Sequence, residues 1–221
     1  MERHLDEELG KLKANLLKMA ALTEEAIHKS IDALKRRDKA GAVAVIESDQ
    51  MIDEMENTIE EQTIEILALF QPMVMDLRFV TTGMKINTEL ERIADLVVNI
   101  CQRVIKIADE PQLKPLVDIP KLAEQAKFMV KSSIDSFVNR DQELAKKVIL
   151  SDVESNRLRT AIIQELIDGY MMKDSKTVSR AVPLLLVARD LERICDHATA
   201  IAEDVIYLIQ AKVIKHHREL L

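Results

Sequence analysis

The sequence predicts an all-α protein built as two tandem three-helix bundles related by internal duplication. Composition is the first reason: of 221 residues only 4 are Gly and 5 Pro, while 48% are hydrophobic and 31% charged. Few turn-formers beside many Ala, Leu, Glu, Lys and Ile residues is a helix-bundle mixture. Aromatics are 3% and Trp is absent, so the core falls to Leu, Ile, Val and Met. The second reason is long stretches of apolar residues at helical spacing between few breakers. The third is repetition. Arg37-Asp38 returns as Arg140-Asp141, and Ser48-Asp49 as Ser151-Asp152. Leu90-Glu91-Arg92-Ile93-Ala94-Asp95 returns as Leu191-Glu192-Arg193-Ile194-Cys195-Asp196. Landmarks in the same order at nearly the same spacing mean a duplication.

The elements follow from the breakers. Leu9, Leu12, Leu16, Met19, Ile27, Ile31 and Leu34 set a first helix from near Leu5 to Lys35. Asp38 reads as the N-cap of a second helix continuing to about Leu69. Gln71-Pro72 breaks it, and a third runs from about Asp76 to Ile107. Pro111, Pro115 and Pro120 mark residues 110–120 as a linker between a first bundle, 1–109, and a second, 121–221. A fourth helix spans about Leu122 to Val138; Asn139-Arg140-Asp141 turns into a fifth, which fades at Gly169. After Lys173-Asp174-Ser175 a sixth runs to near the C-terminus, with Pro183 tolerable only close to its start or at a kink. Thirty-residue helices are about 45 Å long and suit lengthwise antiparallel packing.

Composition also narrows function. The formal charge of −7 argues against nucleic acid as a partner. Lys35-Arg36-Arg37 reads as a solvated helix end, where cations favour the dipole. The N-terminus enters an amphipathic pattern without a signal peptide, and the longest apolar run, Ala181 to Ala188, falls short of a membrane span. Cys101 and Cys195 form no CxxC and read as small core-edge residues of a reducing compartment, so a cytoplasmic protein is expected.

Chemistry is concentrated in carboxylates. Glu91 and Asp95, and again Glu192 and Asp196, stand at i and i+4 on one helix face, where like charges are mildly destabilising. Asp49 and Asp53 form another such pair, with Asp152 and Asn156 as the counterpart. On a helical wheel the first-half pairs lie about 100–140° from the apolar stripe, so they flank the core. If the helices are neighbours, the carboxylates face one another across a groove in each bundle. Oxygen donors without Cys or His suit Mg²⁺, Mn²⁺, Ca²⁺ or iron. Asn99 and Glu203 offer a further oxygen one or two turns on. The alternative is that these acids are solvated and paired with Arg92, Arg193 and other bases. Glu25 and His28 form a single ExxH, and a di-iron site would need a second. His197 beside Asp196 is an exposed helical His, and His216-His217 belongs to a solvated basic tail. The ten Met residues, including Met73, Met75, Met171 and Met172, read as core filler, with adaptable partner binding by a Met-rich surface as the alternative. No P-loop, GxGxxG, HExxH or EF-hand loop occurs, and no nucleophile set can be assembled.

Gln71-Pro72-Met73-Val74-Met75-Asp76-Leu77-Arg78 resembles the QPxxxDLR hallmark of the PhoU family, and the two Glu-Arg-Ile-x-Asp motifs resemble its E(D)xxxD pairs. The resemblance covers essentially the whole chain. It implies two three-helix bundles whose acidic pairs bind metal, here Asp49, Asp53, Glu91, Asp95 and Asn99 in one half. In the other they are Asp152, Asn156, Glu192, Asp196 and Glu203. It implies no enzymatic activity. It also implies action at the inner membrane face with a phosphate ABC transporter, through its ATPase subunit, and a sensor histidine kinase. The outcome would be repression of phosphate-starvation genes when phosphate is plentiful. Asp76, Arg78, Arg92 and Arg193 are the expected partner-contact residues. The long amphipathic helices suit a homodimer. The chain departs from the family at Ala94 and Cys195, where Gly is common, at Ala200, where Asn is common, and at Asn156, where an acid is usual. The second metal site is therefore expected to be the weaker. Two other readings stand beside this one: an accessory protein of a non-ABC phosphate carrier, and a carboxylate-bridged metalloenzyme.

Overall fold

The computed structural model describes residues 2–212 and contains, among them, helices and turns but no strand. The elements are α1 (Glu2–Arg36), α2 (Lys39–Ser48), α3 (Gln50–Phe70), α4 (Met75–Ile107), α5 (Asp118–Asn139), α6 (Gln142–Leu166) and α7 (Val178–Gln210). A π-helical turn, Ile167–Met171, and a 3₁₀ turn, Ser175–Thr177, link α6 to α7. The predicted all-α, duplicated architecture holds. His216-His217 lies outside the described residues.

The repeated Arg-Asp step has a local cause. Arg37 and Arg140 adopt left-handed backbone, φ 58° and 51°, and end α1 and α5. The next amide reaches back five residues, Asp38 to Ala33 O and Asp141 to Ser136 O, both at 2.9 Å. This is the Schellman closure of a helix end. Each Asp then caps the following helix, accepting from Gly41 N at 2.9 Å and Leu144 N at 3.0 Å. Arg37 is not solvated as the sequence suggested; its guanidinium donates to Ile107 O and Ala108 O, satisfying carbonyls at the end of α4.

Two boundaries differ from expectation. The second helix is interrupted at Asp49, whose amide bonds to Ile46 O and whose carbonyl accepts from Ile52 N at 2.7 Å. This three-residue spacing tightens the turn, and periodicity alone does not register it. At the linker, Pro120 lies inside the first turn of α5, where its missing N–H is harmless.

The helices pack as two halves. In the first half α1 packs on α3 and α4, and in the second α5, α6 and α7 pack mutually. The halves meet along α4–α7 and α1–α5. Arg103–Asp190, Glu89–His197 and Lys85–Asp204 step in opposite directions along α4 and α7, so these helices are antiparallel. Arg78 donates to Leu208 O at 3.2 Å at the far end. One continuous apolar core runs through both halves, joined by Phe79 and Phe137, whose rings stack with centroids 4.9 Å apart. Cys101 and Cys195 are wholly buried in it rather than at its edge.

The methionines split. Met19 and Met129 are core, but Met73 and Met172 are each 77% exposed, correcting their reading as filler. Both sit in loops leading into α4 or α7, beyond the reach of the packed faces.

Candidate metal centre

In the first half, α3 lies against α4, tied by Asn87 Nδ2 donating to Glu56 O at 3.0 Å. This places Asp49, Asp53, Glu91 and Asp95 within electrostatic reach of one another, as the spacing suggested. Burial first, then the charges of Asp53 and Asp95, push the Asp49 carboxyl up to about 6. Burial, then Asp95, Glu56 and Asp53, push Glu91 up to about 7. Glu56 is itself raised, by burial, Glu60, Asp53 and Asp95. It is a fifth carboxylate of the cluster that sequence reasoning missed. Cys101 lies beneath; burial and the Asp49 charge push its thiol up to about 12, so it stays a neutral neighbour and the donors are oxygens.

No lysine or arginine among the described residues makes an ion pair with any of these five acids. Arg92 pairs with Glu89, and its charge lowers the Glu91 carboxyl only against the larger raising effects of burial and the neighbouring acids. Among the described residues no three His, Cys, Asp or Glu side chains converge into a ready-made cage. Mutually repelling carboxylates are expected to splay without a cation; burial is the first cause of the raised values and the neighbouring charges add to it. A hard, oxygen-seeking cation fits this donor set.

The second half is built differently. Asp152 is buried, at 2% exposed, rather than flanking the core. It accepts from Ser155 Oγ at 3.1 Å and from Asn156 Nδ2 at 3.2 Å. Asn156 Oδ1 accepts from Arg159 Nη2 at 3.1 Å, and the same nitrogen donates to Glu192 Oε1 at 3.0 Å. Asp196 is raised to about 6 by burial, then Glu192 and Asp152, against the lowering charges of His197 and Arg159. Arg159 is the residue of this cluster that sequence reasoning overlooked. A signal existed: the register that aligns Asp49 with Asp152 and Asp53 with Asn156 also aligns Glu56 with Arg159. A metal fits this cluster poorly, because a guanidinium already stands among its acids.

The remaining candidates scatter. Asn99 shares a groove between α4 and α7 with Arg92, Asp95, Leu96, Arg193 and His197. His197 is half-buried and pairs across the seam with Glu89, not exposed as expected. Glu203 is not among the charges that act on Asp196. Glu25 pairs with Lys29 and His28 with Asp32, so the lone ExxH is dispersed. Asp76 lies in the first turn of α4, in the exposed QP loop region with Leu69, Met73, Val74 and Leu77.

Duplicated helical halves, one with an acidic cluster where α3 meets α4 and the other where α6 meets α7, define an all-helical scaffold class. The chain belongs to the PhoU family: the PhoU domain matches twice, over residues 16–104 and 119–205. It is 42% identical over 212 residues to the phosphate-specific transport system accessory protein PhoU homolog of Aquifex aeolicus (strain VF5), covering 96% of each chain. It is 36% identical over 222 residues to PhoU homolog 2 of Thermotoga maritima, covering 100% of this chain and 94% of that one. The crystal structure of PhoU from Pseudomonas aeruginosa superposes with a TM-score of 0.89 at 34% identity, covering 94% of this chain and 99% of that one.

Proposed function

We propose that this chain is a non-enzymatic accessory protein of a phosphate-specific transport system that represses phosphate-starvation genes when phosphate is plentiful. The observation that carries the reading is similarity over nearly the whole chain to proteins named as accessories of that system. The first carboxylate cluster supports a metal-binding form: Asp49, Asp53, Glu56, Glu91 and Asp95 would hold an Fe, Mn, Mg or Ca ion through oxygen. When bound, the ion supplies positive charge that draws α3 and α4 together and stiffens their shared face.

In this reading the protein is an adaptor in the cytoplasm, peripheral at the inner membrane face through its partners. Those partners are the transporter's ATPase subunit and a sensor histidine kinase, whose active–inactive equilibria it shifts by binding one state better. No helix among the described residues is long and apolar enough to cross a membrane. The exposed Leu69, Met73, Val74 and Leu77 beside Asp76 offer the kind of apolar, adaptable surface partners use. Arg92 and Arg193 line the α4–α7 groove as a second contact candidate. Arg78 serves this face indirectly, by fixing the loop to the end of α7. A homodimer suits the long exposed helix faces.

The test is alkaline phosphatase activity in phosphate-rich medium, comparing a parent strain with one lacking this gene. High constitutive activity in the deletion, restored to repression by the intact gene, is the expected result. Unchanged activity, with no second copy present, would contradict it and favour a companion of a non-ABC phosphate carrier.

A further inference from the structure

The two clusters occupy equivalent places in the duplication, yet their chemistry diverges at two positions one turn apart. Where the first half has Asp53 and Glu56, the second has Asn156 and Arg159. One swap removes a negative charge and the other reverses it. The first cluster thus holds five carboxylates, and the second holds Asp152, Glu192 and Asp196 with one guanidinium among them.

We propose that Arg159 is a built-in counter-cation that closes the second cluster, taking in that half the place of a metal ion while the first half is left open to one. The geometry supports this as a filled position and not a passing surface pair. Arg159 Nη2 joins helix to helix, bonding Asn156 of its own α6 and Glu192 of α7. Asn156 in turn bonds the buried Asp152, so a continuous chain of polar contacts runs from the core carboxylate to the outer acid. The guanidinium side chain is 32% exposed and that of Glu192 only 13%. Screening by water is correspondingly reduced. The buried Arg159 Nε finds no acceptor, which marks the side chain as held by its outer nitrogen. A planar, permanently charged fork suits two oxygen acceptors on neighbouring helices. It crosses from α6 to α7 at the position that Glu56 holds in the first half. The metal-binding reading of the first cluster underlies the contrast between halves, but the closure of the second does not depend on it.

Titration with Mn²⁺ alone, following free Mn²⁺ by electron paramagnetic resonance, tests this on the full chain. Wild type is expected to bind Mn²⁺ in a way that Asp95→Asn abolishes and Asp196→Asn leaves intact. Arg159→Gln is expected to gain a further equivalent, lost again in Arg159→Gln/Asp196→Asn. Its melting temperature should drop without metal and recover with Mn²⁺, whereas wild type should show no Asp196-dependent shift. Binding by wild type that requires Asp196 while Arg159 is intact would overturn the proposal, as would no gain in a folded Arg159→Gln protein. No binding by wild type with a gain in Arg159→Gln would uphold the proposal and sink the metal reading of the first cluster. Should Arg159→Gln not fold, Asn156→Asp decides: with Arg159 retained it should create no Mn²⁺ site, and a new site would contradict the closure.

Discussion

Glu91 shows what a single residue contributes. It sits half-buried on α4 with Asp95 one turn on and Asp53 and Glu56 across the groove. Its carboxyl, at about 7, and that of Asp49, at about 6, lie well above the usual carboxylate value near 4. The folded protein therefore holds protons that the unfolded chain has released. Stability from this source is fully present below about pH 4 and is lost as pH rises through about 6 to 7. Metal-free protein should consequently melt at a lower temperature at about pH 8 than at about pH 5. The Asp49→Asn/Glu91→Gln variant should lose most of that slope. A metal-free wild type that gains stability over this interval by the same amount as the variant would contradict the clustering. The acidic pairs were legible in the sequence because a one-turn spacing repeated in both halves. Glu56 and Arg159 were not, because each lies three residues beyond the Asp–Asp or Asp–Asn pair that drew attention, and only the packing of α3 on α4 and α6 on α7 brings them in.

Elements are ordered by how their ends are closed. The twin Arg-Asp steps serve one purpose, stopping one helix and capping the next, but the two arginines differ. Arg37 turns its guanidinium onto the end of α4, whereas Arg140 is exposed and makes no side-chain bond among the described residues. A non-glycine residue in left-handed backbone costs about 1–2 kcal/mol. Arg140→Gly should therefore raise unfolding free energy by up to about 1 kcal/mol, while Arg37→Gly should lower it by losing hydrogen bonds worth about 1–2 kcal/mol. Urea unfolding of the pair checks this; equal effects in both would show that the Arg37 bonds carry no stability. Most boundaries were legible from Asp38, Asp141, Gln71-Pro72 and the linker prolines, although six helices were expected where the described residues form seven. The interruption at Asp49 was not, because the residues around it keep helical backbone and only the hydrogen-bond spacing changes.

At the scale of the molecule the duplication becomes a single body. The antiparallel seam of α4 on α7 sets both Glu-Arg-Ile-x-Asp motifs near the middle of the fold, with Arg92 and Arg193 in a common groove. Nothing in either repeat announces how the two will face each other, since the seam is made by residues such as Lys85, Arg103 and Asp190 that have no periodic signature. Phe137, wholly buried against Phe79, adds one aromatic contact to the α4–α7 and α1–α5 seams that hold the halves together. Phe137→Ala should cost about 3–5 kcal/mol. It should also broaden the unfolding transition by loosening one half from the other; a small, cooperative change would mean the seam is held by α4–α7 alone.

The most direct test of the account returns to the first cluster in a living cell. A strain lacking this gene, carrying Glu91→Gln/Asp95→Asn in its place, would be assayed for alkaline phosphatase in phosphate-rich medium, with the protein confirmed folded and present at wild-type level. High constitutive activity is predicted if, as proposed, the face that takes metal is the face that makes the adaptor competent. Full repression by that variant would contradict a regulatory role for the cluster.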